Sequence, residues 1–315
     1  MAEREARAVT AQTLLQSIQA GKGIDLTNVV VLGDVLLDQL PVSAIANFGG
    51  LTERAKTFLA ARAITQGRII QGPISIQRSI VRGRIATRIQ QGQGIIVVKG
   101  PVTAHATVFE DSQDWSRMLF ADSVDWSGAT LQREMLFVQS LFMGETRFLG
   151  TKFGPHTRFH RAAFDGPASF DQAVFEGLAE FLEVSFHRDV SFSAARFAQG
   201  TGFSGSVFEG SATFSEAEFA RESYFLYAEF RRSAQFERTR FDGTTSFADT
   251  QFGGRADFSS ARFARPPDWN RSQFRAERLL PASSGPPLDW GSWAITVGAG
   301  LAAVALFWSI LRRSG

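Results

Sequence analysis

The sequence predicts an all-β solenoid whose coils have four sides, and three observations carry that prediction. Large apolar residues from Phe109 onward fall at 109, 115, 120, 126, 131, 137, 142 and 148 and continue in alternating steps of six and five to 263, 269 and 274. Of these 31 anchor positions 27 are Phe and the others are Trp115, Trp126, Leu131 and Trp269, so a period of 11 runs through 15 uninterrupted repeats. Secondly, a small residue stands two places before most anchors, as Ala162, Ala173, Ala195, Ala217 and Ala261 do in one phase and Ala168, Ala179, Ala212, Ala234 and Ala256 in the other. Thirdly, Gly144, Gly150, Gly166, Gly177, Gly210, Gly243 and Gly254 stand two places after an anchor, where a corner is expected to call for a residue without a Cβ.

Other geometries fail on the spacing. At about 100° per residue, steps of five and six scatter the anchors around a helix and form no stripe, and the repeated glycines disfavour helix as well. A flat strand sends residues five apart to opposite faces. A chain that turns a corner every five or six positions keeps each anchor, and the small residue before it, pointing inward; four such sides close a coil of 22. Stacked coils then lie about 4.8 Å apart and pair backbone to backbone, so eight coils between Val98 and Phe274 make a rod of roughly 38 Å. Each inward Phe adds roughly 1.5–3 kcal/mol of burial, most of which the ordering entropy offsets.

This unit, F-x-x-[AST]-x-F-x-G-x-[AST]-x, resembles the pentapeptide-repeat family, whose motif centres on Leu or Phe with Ala two residues earlier. The resemblance runs from Phe109 to Phe274 and implies a right-handed quadrilateral β-helix. The alternation of five and six departs from the family's strict fives and leaves the corner types of the longer sides open.

Toward the N-terminus, 1–23 is read as a capping helix: Thr10 is its N-cap, Leu14, Leu15 and Ile18 share a face, and Gly21 stops it. Residues 24–97 hold the first coils. Leu26, Val31, Leu37 and Val42 follow the anchor spacing with Ile24, Val29, Val35 and Leu40 two before each, so the first coil is expected to begin near Ile24. The pattern breaks over 43–72, an insertion in which Leu51 to Ala63 predicts a second helix, and resumes at Ile76, Val81 and Thr87. Near Gln90 to Val98 the phase slips by one, which predicts a bulge or short loop. The main solenoid is 98–280, its last coil capped by Arg271 to Leu280, and 281–289 is a Pro-rich linker.

Trp290 to Leu311 carries no charge along its whole length, enough to cross about 30 Å of hydrocarbon, which predicts one membrane-crossing helix. Trp290, Trp293 and Trp308 are its expected interfacial anchors, with Arg312 and Arg313 beyond it. Ala294, Gly298 and Ala302 make a small-xxx-small face on which two such helices would meet, so a homodimer is an expected partnership. The charged start, Met1-Ala-Glu-Arg-Glu-Ala-Arg, lacks the apolar core of a secretory signal. With the family resemblance, this reads as a membrane-anchored protein of bacterial type, tail-anchored in the inner membrane with its solenoid on the cytoplasmic side.

The absence of Cys excludes disulfides and thiolate chemistry. His105, His156, His160 and His187 do not stack in a coil of 22, and His160 and His187, each following an anchor, are expected on a solvated surface. Without a nucleophile elbow, phosphate-binding loop or paired acids, neither enzymatic activity, nor a metal, nor a cofactor is expected. Charge is uneven: 1–98 carries 11 basic and 6 acidic residues, whereas 99–280 carries 20 and 24. Arg54, Lys56, Arg62, Arg68, Arg78, Arg82, Arg84 and Arg88 follow one another with no acid between them, a run suited to phosphates or anionic lipid, or else a solvated face.

Outward positions offer two candidate partner surfaces. Lys152, Val174, Arg196, Glu218, Arg240 and Arg262 form a mostly basic column, open to reading as an anion-binding strip or as a charge-alternating ladder. Tyr224, Leu226 and Tyr227 flank Phe225 as an aromatic cluster. The leading expectation is a non-enzymatic, membrane-tethered scaffold for a protein partner. The resemblance implies a second, a DNA-mimic topoisomerase modulator of the gyrase-inhibiting kind, which needs a more acidic face than a solenoid near −4 provides. The basic run supplies a third, a binder of nucleic acid or anionic lipid, nucleic acid being the less expected of the two.

Overall fold

A residue pattern that sends Phe inward at every corner leaves the backbone only one set of partners, the coils above and below. The computed structural model describes residues 7–89 and 93–281 and shows that arrangement. Four parallel sheets form the sides of a β-helix of about 12 turns. Taken in chain order around a coil, side one contains Met118–Phe120, side two Val124–Asp125, side three Thr130–Leu131 and side four Met135–Leu136. Sides one, two and three have 11 strands each and side four has 9. The register is the predicted one: Phe120 pairs with Phe142, Phe142 with Phe164 and so on to Phe274, a shift of 22 at every step.

The anchors pack in four columns. Phe159, Phe181 and Phe203 stack at ring-centroid spacings of 4.9 Å with planes 9° apart. Neighbouring columns meet edge to face, as Phe159 and Phe170 do at 5.5 Å and 88°, so each ring presents its face along the axis and its edge across it. Mostly small side chains stand beside them, Ala162, Ala173, Ala195 and Ala217 being buried there, with Met118 and Met135 buried at the same position near the start of the Phe columns. At four of the places where Ser or Thr stands instead, the hydroxyl donates to the carbonyl of an anchor on the preceding coil: Ser140 to Trp115, Thr151 to Trp126, Thr239 to Phe214 and Thr250 to Phe225. These four buried hydroxyls are thereby satisfied without breaking the ladder, whereas the buried Thr157 hydroxyl has no partner among the described residues.

The corners correct the expected role of glycine. After sides two and four the residue two past the anchor has positive φ, yet it is usually not Gly: Arg161, Gln172, Glu183, Ala194, Glu216, Tyr227 and Asp249 adopt φ of 54–62°. A turn hydrogen bond, such as Ala162 N to Phe159 O at 2.9 Å, holds the conformation. Six of the seven predicted corner glycines lie instead after sides one and three and have no positive φ. They are small because stacked corners touch. A Cβ on Gly177 would lie 1.8 Å from the Pro155 carbonyl oxygen, and one on Gly166 would lie 2.3 Å from that of Gly144. Gly150 alone of the seven is a positive-φ corner, at 61°.

The N-terminal helix is Ala11–Gln19, its Thr10 hydroxyl accepting from Thr13 N and its Ala11, Leu14 and Ile18 buried on the solenoid. Stacking begins earlier than Ile24, because Ala8–Thr10 already pairs in parallel with Val30–Leu32 on side three. Val42 is not an inward anchor; it is 47% exposed. The chain leaves the coil there, and Ser43–Ala44 runs antiparallel to Gln66–Gly67. The excursion is also shorter than 43–72, since Gln66–Ile70 already lies on side one against Ile95–Val98. Its helix is Glu53–Ala61, capped by Thr52. Between Ala86 and Ile95 the break is an insertion of six and not a slip of one: Ala86 pairs with Asp114, a step of 28, whereas Ile96 pairs with Met118, a step of 22.

At the other end Gln273–Phe274 and Arg278–Leu279 continue sides one and two, and Leu280 packs on the core. Among the described residues no helix is long and apolar enough to cross a membrane. The predicted span, its Trp and Arg anchors, and the Ala294, Gly298 and Ala302 face lie outside the described residues.

Candidate interaction surface

Outward side chains one coil apart lie side by side, so a position repeated once per coil becomes a ladder. On side three Glu218 sits between Arg196 and Arg240, with N–O distances of 3.5 and 2.7 Å, and Arg240 also reaches Asp242 at 3.0 Å. The stretch from Arg196 to Arg240 is a neutralised ladder. Lys152 and Arg262 are the column's exceptions, each with no ion pair among the described residues, Arg262 being stacked beside Arg240. Corner positions do the same: Arg161 pairs with Glu183, Arg238 with Glu216 and Arg271 with Asp249. The hydrogen bond from Arg161 holds Glu183 below the ordinary carboxylate value, and that from Arg271 does so for Asp249, helped by the Tyr227 hydroxyl.

Side four carries the aromatic cluster. Tyr227 is 64% exposed at the corner, while Tyr224 and Leu226 are half-buried. One coil earlier the outward residues are Gly200 and Gly202, and one coil before that Leu178 and Leu182 lean over them: a Cβ on Gly202 would lie 3.0 Å from Leu182 Cδ2, and one on Gly200 3.6 Å from Leu178 Cδ1. The result is a shallow apolar step from Leu178 and Leu182 across the glycines to Tyr224 and Leu226. The Arg column and the Tyr cluster, both candidates from the sequence, lie on adjacent sides and are not brought into one site.

Side four also holds His160, half-buried and 3.8 Å from Glu183, rather than solvated as expected. Burial lowers its pKa below the ordinary 6.5, against the pull of Glu183. A histidine shifted down stabilises the fold in its neutral form, fully above 6.5 and less as pH falls below it. The melting temperature should therefore drop between about pH 7.5 and 5.5 by less in His160→Gln than in the unaltered protein, as read by circular dichroism. An equal drop in both would remove His160 from the account.

Side one shows what the sequence reading missed. Its outward positions Ile95, Val97, Leu119, Leu141 and Ala163 are apolar and buried because the insertion lies on them, through Phe48, Leu51, Ala55 and Leu59. The signal was present as apolar residues immediately before the anchors at 98, 120, 142 and 164. Beyond them the same side continues as a polar ladder. Asp165, nearly buried, takes Arg54 of the insertion helix at 2.7 Å; His187 stands 4.0 Å from Asp165 and 3.0 Å from Glu209; and Glu209 meets Arg231 at 2.7 Å. His187 is thus a part-buried rung between two carboxylates and not a solvated residue.

The Arg54–Asp165 pair is one of the contacts that engage six of the eight residues of the basic segment, all but Arg78 and Arg88. Lys56 pairs with Glu53, Arg82 with Glu110 and Arg84 with Asp34, while Arg68 donates to the Asp38 and Leu40 carbonyls and Arg62 lies 3.8 Å over the Phe58 ring. Arg54→Ala should cost about 1.5–3 kcal/mol, the range for hydrogen bonds to charged groups. Hydrogen exchange should show the loss confined to 43–65 and the adjoining strands; uniform loosening would mean that the pair does not fasten the insertion.

With the coil geometry in place, the comparison with known families is direct. Residues 156–196 and 225–273 match the family model of pentapeptide repeats, with nine copies. The chain contains pentapeptide repeats. The stretch between the two matched segments keeps their register, Phe197 pairing with Phe219 and Phe208 with Phe230, so the pentapeptide-repeat solenoid is continuous through it. No curated protein and no solved structure matches the chain. Among the described residues no three His, Asp or Glu side chains cluster as a metal site would require.

Proposed function

We propose that this pentapeptide-repeat solenoid is a non-enzymatic scaffold, tethered to a membrane through Trp290 to Leu311, that docks a protein partner on side four. The observation that carries the docking is the apolar step at Gly200 and Gly202, rimmed by Tyr224, Leu226 and the exposed Tyr227. Aromatic residues beside a recess supply contact area with few rotors to immobilise, the pattern of an interface anchor. Elsewhere several carboxylates are neutralised, since Glu218, Glu183, Glu216 and Asp249 each have an arginine one coil away. That pairing supports a scaffold over an imitation of duplex DNA, which requires an unneutralised row of negative charge.

Tyr227→Ala combined with Leu226→Ala should lower recovery of a cross-linked partner from membranes about tenfold while leaving the melting temperature within a degree or two. Recovery of the same partners in the same amounts would remove side four from the proposal. Turnover of any substrate that is abolished by a single surface substitution would overturn the non-enzymatic reading.

A further inference from the structure

We infer that the C-terminal end of the solenoid is a docking surface for an anionic lipid bilayer, an inference that rests on the tether reading for its setting. Arg262, Arg265, Arg275 and Arg278 are all exposed and come from sides one, two and three and an adjoining corner of the last coil. None has a carboxylate within ion-pair distance among the described residues: Arg265 reaches only the Thr244 hydroxyl, Arg275 the Gln251 amide oxygen, and Arg278 lies 4.9 Å over the Phe274 ring. In the middle of the rod Arg161, Arg196, Arg231, Arg238 and Arg240 each meet a carboxylate on a neighbouring coil, whereas Arg188, Arg221 and Arg232 meet none among the described residues. Over 262–280 five arginines stand against two acids, Asp268 and Glu277.

The same end is apolar at its centre. Anchors through the body of the rod are fully buried, whereas Phe263, Trp269 and Phe274 are only partly so. Arg262–Phe263 and Gln273–Phe274 are the last strands of sides three and one, with nothing paired beyond them among the described residues. A rim of unpaired arginines around half-buried Trp and Phe matches the headgroup region, where phosphates face the guanidinium groups and indole rings sit at the boundary. Chain length agrees. Ten residue steps separate Leu280 from Trp290, which reach at most about 35 Å, so a span starting at Trp290 keeps this end coil close to the membrane surface.

The test uses the full chain reconstituted in vesicles of phosphatidylcholine alone or with phosphatidylglycerol at two to one. Hydrogen exchange over 262–280 should slow several-fold with phosphatidylglycerol and recover at about 0.5 M salt, since each arginine strengthens association roughly fivefold. Changing Arg262, Arg265, Arg275 and Arg278 to Gln should abolish that slowing. Arg231→Gln with Arg238→Gln, which removes like charge from the middle of the rod, should not. Equal exchange in both lipids, or slowing that survives the fourfold change, overturns the inference. Alkaline carbonate extraction reads the tether separately: a chain stripped from vesicles but still protected by phosphatidylglycerol sinks the tether and leaves the surface standing.

Discussion

Phe181→Ala should cost about 3–5 kcal/mol, the range for a buried Phe truncation. Phe181 is fully buried and touches rings on every side: Phe159 and Phe203 in its own column at 4.9 Å, and Phe170 and Phe192 across the interior at 5.4 and 5.3 Å. The cavity cannot relax readily, because each neighbour is held by its own strand in two ladders. Stability in a solenoid is a sum over coils and their contacts, so the loss should open the coils around 181 first. Chemical denaturation would give the magnitude and hydrogen exchange the location. A change below about 1 kcal/mol would mean the columns tolerate a missing ring, contrary to tight packing.

The second large effect is expected from Gly177→Ala. Its added Cβ would lie 1.8 Å from the Pro155 carbonyl oxygen and 2.2 Å from the carbonyl carbon, so two stacked backbones must separate. Overpacking against side chains costs about 1–3 kcal/mol; backbone held in ladders yields less easily, and the loss should lie at or above the top of that range. Gly150→Ala is the contrasting variant. At φ 61° with nothing within 4 Å of its Cβ, it should cost only about 1–2 kcal/mol of backbone strain. Thermal melts of the two variants side by side decide the matter: equal losses would mean that conformation, and not approach between coils, governs these corners.

That contrast shows where the sequence was legible. The anchors are nearly all of one type and every coil repeats them, so their spacing alone specified sides, register and the coil of 22. A glycine, by contrast, is silent about its reason. Gly177 and Gly150 both stand two places after an anchor, the first on a six-residue step and the second on a five-residue step, and the stacked coils show that the first is crowded and the second has positive φ. Val42 misled because it kept the anchor spacing at the point where the chain was leaving the coil. The insertion was legible as an interruption but not as a cover, because its target, Val97, Leu119, Leu141 and Ala163, was hidden among residues whose neighbours are the anchors themselves. The ladder of Asp165, His187, Glu209 and Arg231 needed only the step of 22 to be seen, and His187 was instead judged in isolation. The Tyr224, Leu226 and Tyr227 cluster was visible from residue type; the glycine step beside it became meaningful once Leu178 and Leu182 were seen leaning over it.

A sequence repeat of 11 within a coil of 22 has a consequence for how such a chain can change length. Excising a single repeat between Phe142 and Phe164 would leave every later Phe on an anchor position and every corner of its proper kind, yet it would exchange side one with side three for all that follows. Ala163 and Asp165 would then face away from the insertion helix, which would lose both its apolar seat and the partner of Arg54. The ladders beyond would keep their internal pairs but turn half way round the rod. Excising a whole coil beyond Asp165 disturbs a single junction and returns every later surface to its original side. Lengthening and shortening of this rod are therefore quantised in whole coils, and the half-coil, despite its perfect match to the repeat, delivers each downstream surface to the wrong side.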